Sequence, residues 1–271
     1  MSWLNAPASE TQITHGKRLW LYIVSGLVMM FLVLPSLIVI PMSFSESKYL
    51  EFPPEVWSMY WYGAYFDSKA WMNATRTSLT VAVLTFLLAT PMGTLAAYGL
   101  HVSRFRFSMY IYIVMSLPLM VPVIMIAIGV FFLYAKLGMI NSISGLVLAH
   151  SMLAMPLVVI VVASGLKSYD MNQEMVARSL GASRARAFLT ITLPQIRFSV
   201  ITGGLLAFLT SLDEVIVALF VSGGENATIT RRMFNALRDQ IDPTIASIST
   251  LLITVSVILL VVAQMFGKER D

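Results

Sequence analysis

The chain has no cysteine, and only 12% of its 271 residues are charged. Without cysteine there is no disulfide framework, no thiolate metal site and no thiol nucleophile. The scarcity of charge excludes more. Soluble domains carry about 25% charged residues, and a chain with half that share could not cover a water-facing surface. Intrinsic disorder is excluded too, because it requires low hydrophobicity with high charge. What is present is 58% hydrophobic residues, with a mean hydropathy of +0.80. That composition is an integral membrane protein. The pI near 9.4 reads as basic cytoplasmic loops rather than nucleic-acid binding.

The charges divide the chain into apolar runs at residues 19–45, 77–100, 107–135, 137–166, 197–224 and 244–267. The fifth is interrupted by Asp213 and Glu214. Each run approaches or exceeds the roughly 20 residues needed to cross about 30 Å of hydrocarbon. The alternation of a barrel strand is missing, so the runs predict six transmembrane helices in an all-α fold. The first run is too long for a signal peptide, and no small-x-small cleavage site follows it, so it reads as a retained anchor. Lys17, Arg18, Arg104, Arg106, Lys167, Arg178, Arg184, Arg186, Arg197, Lys268 and Arg270 fall on one side of the membrane. Lys48, Lys69, Arg76, Lys136, Arg231, Arg232 and Arg238 fall on the other, among as many acids. The richer side is cytoplasmic, which places both termini inside. The tails are 1–18 and 268–271, and 19–267 is the membrane domain. Outside, the 46–76 segment holds Trp57, Tyr60, Trp61, Tyr62, Tyr65 and Phe66, as expected at a bilayer interface. Pro91, Pro118, Pro122 and Pro156 bend their spans.

Catalytic and phosphate-binding patterns are absent. Gly16-Lys17 and Gly267-Lys268 lack the remainder of a phosphate loop. His15, His101 and His150 are scattered without metal-ligand spacing, and His150 reads as a packed, hydrogen-bonded helix residue. Any uphill movement must draw on an ion gradient or a separate ATPase.

The longest inner loop, 167–197, reads as two short helices. Asp170 caps the first and Glu174 sits near its positive end. Gly181 ends it. Ser183 caps the second, and Pro194 follows that helix's end. Val176, Ala177 and Leu180 give the first helix a small apolar face. A helix–glycine–helix elbow of this kind fits a protrusion gripped by another protein better than a helix lying on lipid.

Gly181 followed after nine residues by Ile191-x-Leu193-Pro194 resembles the E-A-A-x-x-x-G-x(9)-I-x-L-P loop of ABC-importer permeases. The first half departs from that pattern. Met175 holds the Glu position, Val176 the first Ala position and Ala177 the second, while Glu174 lies one residue early. Ser211-Leu212-Asp213-Glu214, Phe220-Val221-Ser222-Gly223 and Asp242-Pro243 extend the likeness to the second permease of spermidine/putrescine-type importers. The resemblance implies a type I importer permease fold. It implies that Glu174, Ala177, Leu180, Gly181, Ala182, Ser183, Ile191, Leu193 and Pro194 form the coupling loop. It also implies a partner permease in a heterodimer, two ATPase subunits and a periplasmic binding protein, in a bacterial inner membrane. ATP and magnesium then belong to the ATPases, with no cofactor or metal on this chain.

Asp213 lies about 15 residues into the fifth span, where an unpaired acid costs a few kcal/mol unless it faces protein or water. Asp213 and Glu214 therefore read either as a substrate-path site for a polyamine-like cation or as a joint or helix cap. They project about 100° apart, which argues against a catalytic dyad and an intramembrane hydrolase. A stand-alone carrier or channel is the other class, and six spans without an internal repeat argue against it. Amino acids, opines or other small polar solutes are alternative substrates.

Overall fold

The computed structural model describes residues 14–103, 106–239 and 241–267. The tail residues 1–13 and 268–271, and with them Arg104, Lys268 and Arg270 of the charge count, lie outside the described residues. The elements, all helical, are α1 (Leu19–Met42), α2 (Tyr60–Asp67), α3 (Lys69–Val102), α4 (Ser108–Ser116), α5 (Val123–Leu137) and α6 (Ile143–Ser168). They continue with α7 (Asn172–Ser179), α8 (Arg184–Ala187), a π-helical turn (Phe188–Thr192), α9 (Leu193–Gln195), α10 (Arg197–Asp213), α11 (Ile216–Val221), α12 (Ile229–Asp239) and α13 (Thr244–Gly267). The chain forms two compact units, residues 1–64 with 242–253 and residues 65–241 with 254–271.

In the first unit α1 is apolar all round and none of its residues is buried, as suits a helix whose surroundings are not water. The chain after it folds back through an antiparallel bridge between Ser45 and Trp57. Phe44 packs on Trp57 and Tyr62, the Ser43 Oγ and Tyr62 hydroxyl lie 2.7 Å apart, and Trp61 Nε1 donates to the Ser47 carbonyl. Ser247, in the first turns of α13, donates to the Ser43 carbonyl at 3.2 Å. Trp57 and Tyr60 keep their rings exposed, in line with interfacial anchors.

The second unit is built on α3, α6 and α10. Small residues set their spacing. A Cβ on Gly93 of α3 would lie 2.8 Å from Val158 Cβ of α6, and one on Gly203 of α10 would lie 3.3 Å from the Val158 Cα. Val158 is thus gripped from both sides and is fully buried. With no hydrophobic drive between helices in lipid, this kind of close approach supplies the association energy. One apolar cluster, including Ala97, Val158, Val162, Leu166, Phe188 and Ile196, lies toward the end carrying α7. Another, including Val81, Leu146, Leu153 and Val217, lies toward the other end. His150 is the packed residue its position implies. Its Nδ1 lies 2.8 Å from Ser211 Oγ, which donates to Thr85 Oγ1 at 3.4 Å. One polar chain therefore crosses all three helices.

Two of the six expected spans are not single helices. The third breaks at Met120–Pro122, and its halves 108–119 and 123–137 meet at 95°. Pro118 and Pro122 stand four residues apart, so two successive turns lose a backbone donor and the helix stops rather than bends. The fifth meets the preceding helix 184–195 at 80° and ends at Asp213. After Glu214 and Val215 only the six-residue α11 follows, too short to resume a crossing. Four helices, 15–42, 69–102, 143–168 and 244–262, are long and apolar enough to cross, or six if each bent pair counts as one. Pro91 and Pro156 stay inside continuous helices.

The packing yields a test. Gly93→Leu forces a side chain against Val158 and should lower stability by roughly 1–3 kcal/mol, the cost of overpacking. Gly26→Leu in α1, where a Cβ meets nothing within 4 Å, should leave it unchanged. Thermal melts of the purified variants would contradict this spacing role if both behaved alike.

Candidate functional site

The elbow between α6 and α10 is the best-built feature of the molecule. Asp170 does not cap α7 directly. Met171 occupies the cap position, and Asp170 Oδ1 accepts from the Asn172 N–H at 3.0 Å, a turn one residue earlier. The other end closes as the sequence implies. Ala182 N–H donates to the Ala177 carbonyl at 3.1 Å and Gly181 N–H to the Arg178 carbonyl at 3.0 Å. These are the paired bonds of a Schellman cap. Gly181 has φ +94°, in the left-handed region that favours glycine, and open space around it. The backbone conformation, not crowding, demands glycine there. Ser183 Oγ accepts from the Arg186 N–H at 3.3 Å and opens α8.

Pro194 does not follow the end of this second helix. It lies inside a continuing run, after the π turn Phe188–Thr192. Proline clashes with the carbonyl four residues back. A turn widened to i→i+5 bonding, as in the Leu193 N–H to Phe188 carbonyl bond, makes room for it.

Glu174 is only 1% exposed. Its Oε1 accepts from the Tyr98 hydroxyl and its Oε2 from the Thr192 hydroxyl, both at 2.6 Å. The carboxylate thus ties α7 to α3 on one side and to the π turn on the other. Its shift by one residue from the loop pattern rotates it about 100° around α7, onto the inward face. Tyr98 also packs on Phe188, with ring centroids 4.4 Å apart. Tyr98 and Thr192 escape sequence reasoning. Nothing local marks a tyrosine 76 residues away as the partner of a loop acid.

The opposite face of the elbow is unpacked. Leu180 is 84% exposed, Val176 60% and Leu189 59%. Gly181, Ser183 and Pro194 are exposed as well, while Ala177, Ala182, Ile191 and Leu193 are half-buried.

The two acids at the far end of α10 divide their roles. Glu214 is half-buried. Its Oε1 accepts from the Val217 N–H at 2.8 Å, and its carbonyl accepts from Thr230 Oγ1 at 2.9 Å. It is a cap for α11 and a brace to α12. Asp213 is exposed and, among the described residues, has no ion-pair partner. It lies on the side of α10 away from the buried stripe of Gly203, Gly204, Ala207, Ser211 and Leu212.

If Glu174 anchors the elbow, removing its donors should loosen it. A hydrogen bond to a charged group is worth about 1.5–3 kcal/mol. The Tyr98→Phe, Thr192→Val double variant should therefore speed tryptic cleavage at Arg178, Arg184 and Arg186 by about tenfold or more. An unchanged cleavage rate in a folded variant would mean that the carboxylate does not hold the elbow.

Comparison with known proteins agrees with this architecture. Residues 89–269 match the family model described as "Binding-protein-dependent transport system inner membrane component". The chain is 29% identical over 242 residues to the "Spermidine/putrescine transport system permease protein PotC" of Haemophilus influenzae, covering 89% of this chain and 93% of that one. It is 32% identical over 245 residues to the "Putrescine transport system permease protein PotI" of Escherichia coli (strain K12), covering 86% and 85%. Among solved structures, a bacterial alginate ABC transporter in complex with an alginate pentasaccharide-bound periplasmic protein aligns with a TM-score of 0.69, at 16% identity, over 92% of this chain and 93% of the other. The chain belongs to the family of binding-protein-dependent transport system inner membrane components and has the fold of a type I ABC-importer permease.

Proposed function

We propose that this permease forms half of the pathway of a polyamine-type importer in a bacterial inner membrane. A second permease completes the pathway, two ATPase subunits drive it, and a periplasmic binding protein delivers the solute. The family and the two polyamine-permease relatives support the substrate class. The single structural observation that carries it is Asp213, an exposed carboxylate with no ion-pair partner among the described residues, on the side of α10 opposite its buried stripe. A di- or polyammonium solute offsets such a charge and relieves its desolvation cost. Glu214 belongs to the joint.

The elbow is the coupling device in this reading. Leu180, Val176 and Gly181 form the surface that an ATPase cleft receives. Glu174 carries the motion inward to α3 and the π turn. ATP and magnesium act on the ATPases, and this chain performs no chemistry.

Uptake of labelled putrescine into proteoliposomes containing the assembled importer is the test. Asp213→Asn keeps shape and hydrogen bonding, so assembly should persist while uptake falls by about tenfold or more, the worth of a charge-assisted contact. Normal uptake by Asp213→Asn would remove the substrate role and leave only a structural one. Gly181→Asp strains the left-handed position and puts a charge at the contact. It should insert normally yet lose uptake by about tenfold or more, within the usual range of coupling energies. Leu180→Glu should release the ATPase during copurification. Unchanged uptake and copurification in both would dismiss the coupling role.

A further inference from the structure

A cleft of about 860 Å³ opens at the foot of α10, between the end of α6, the start of the elbow and the first turns of α10. Its volume is in the range of small-molecule sites, about 300–1,000 Å³. The lining is unlike the lipid-facing surface around it. It presents four hydroxyls, from Ser164, Ser168, Ser199 and Thr202, the carboxamides of Gln173 and Gln195, and the carboxylate of Asp170. Tyr169 also lines it, and its hydroxyl oxygen is buried with no hydrogen-bond partner. None of the residues lining the cleft is Lys, Arg or His. Lys167 lines a second, adjoining cleft that shares Ile160 and Ser164 with this one, and the Arg197 guanidinium is held over the Phe198 ring, 4.9 Å from its centroid. The formal charge of the lining residues is therefore negative, with Asp170 its one carboxylate.

Two features join this cleft to the rest of the molecule. A Cβ on Gly165 would collide with Ser199 Oγ, so α6 and α10 touch at its floor. Thr202 and Asp213 are eleven residues apart on α10, which is three turns within about 20° and a rise of about 16 Å. Both are exposed, so the cleft and Asp213 lie on one helix face, with the half-buried Leu206 and Leu209 between them. The cleft wall also contains Asp170 and Gln173, immediately before Glu174, so the cleft is joined to the root of the elbow.

We propose that this cleft is an inner-face release site for a small organic cation with several N–H donors, with Asp170 as its counter-charge. It rests on the polyamine reading and extends it. A cation leaving Asp213 passes along the same side of α10 and pauses among these acceptors. When the ATPases move the elbow together with the helices it is tied to, the cleft shifts against the partner permease and the solute is set free.

Because the chain has no cysteine, single cysteines report on the cleft directly. S168C and T202C, on opposite walls, are labelled with a maleimide in the assembled importer, with and without putrescine. At about ten times its Kd, putrescine should slow labelling of both by about tenfold. The uncharged analogue 1,4-butanediol should not. Adding Asp170→Asn should restore the unprotected rate, and A163C, in the second cleft, should label equally with or without putrescine. If the wild-type importer takes up putrescine but neither S168C nor T202C is protected, the release site is refuted while the polyamine reading stands. Equal protection by butanediol, or protection that survives Asp170→Asn, refutes the cationic character of the site. A wild-type importer that takes up no putrescine overturns the polyamine reading, and the release site with it.

Discussion

One buried carboxylate ties the elbow to the membrane helices. Glu174 is removed from water almost completely, and burial of an acid is tolerated only where hydrogen bonds replace its hydration. Here two hydroxyls do so, one from the long helix α3 and one from the π turn. The elbow therefore cannot shift without either carrying those two elements along or exposing an unsatisfied charge. Its tip, in contrast, is held by local bonds around Gly181 and Ser183 and presents bare Leu180 and Val176. A protrusion with an anchored root and an apolar tip has the mechanical form of a lever.

The helices to which the elbow is tied are closely spaced. Val158, clasped between Gly93 and Gly203, brings α3, α6 and α10 to van der Waals contact, and the His150–Ser211–Thr85 chain links the same three helices through polar groups. Close packing without voids transmits displacement rather than absorbing it. The buried side of α10 is spent on this contact. Its other side carries the exposed Thr202 and Asp213, which the proposed solute path uses.

Much of this was legible from sequence because it depends on local rules. The long apolar runs, the φ > 0 requirement at Gly181 and the Ser183 cap each follow from a few neighbouring residues. The interruption at Asp213-Glu214 was visible for the same reason. What the sequence concealed was non-local or cumulative. Pro118 and Pro122 each read as a bend, and only together do they break the span. Pro194 reads as a helix stop because the π turn that accommodates it has no compositional mark. Glu174 was visible as a misplaced motif residue. Its meaning depended on Tyr98 and Thr192, which only the folded chain brings to it. Likewise, the separation of Glu214 as a cap from Asp213 as a free acid required the position of Val217 and Thr230.

The central claim is that elbow and α3 move as one piece because Glu174 binds them. The most direct measurement is the distance between spin labels at L180C on the elbow and L95C on α3, read by double electron–electron resonance in the assembled importer, nucleotide-free and trapped with ATP. The expected result is a single narrow distance that stays the same in both states. A distance that changes or broadens between the two states would show the elbow moving independently of the membrane helices and would contradict the account.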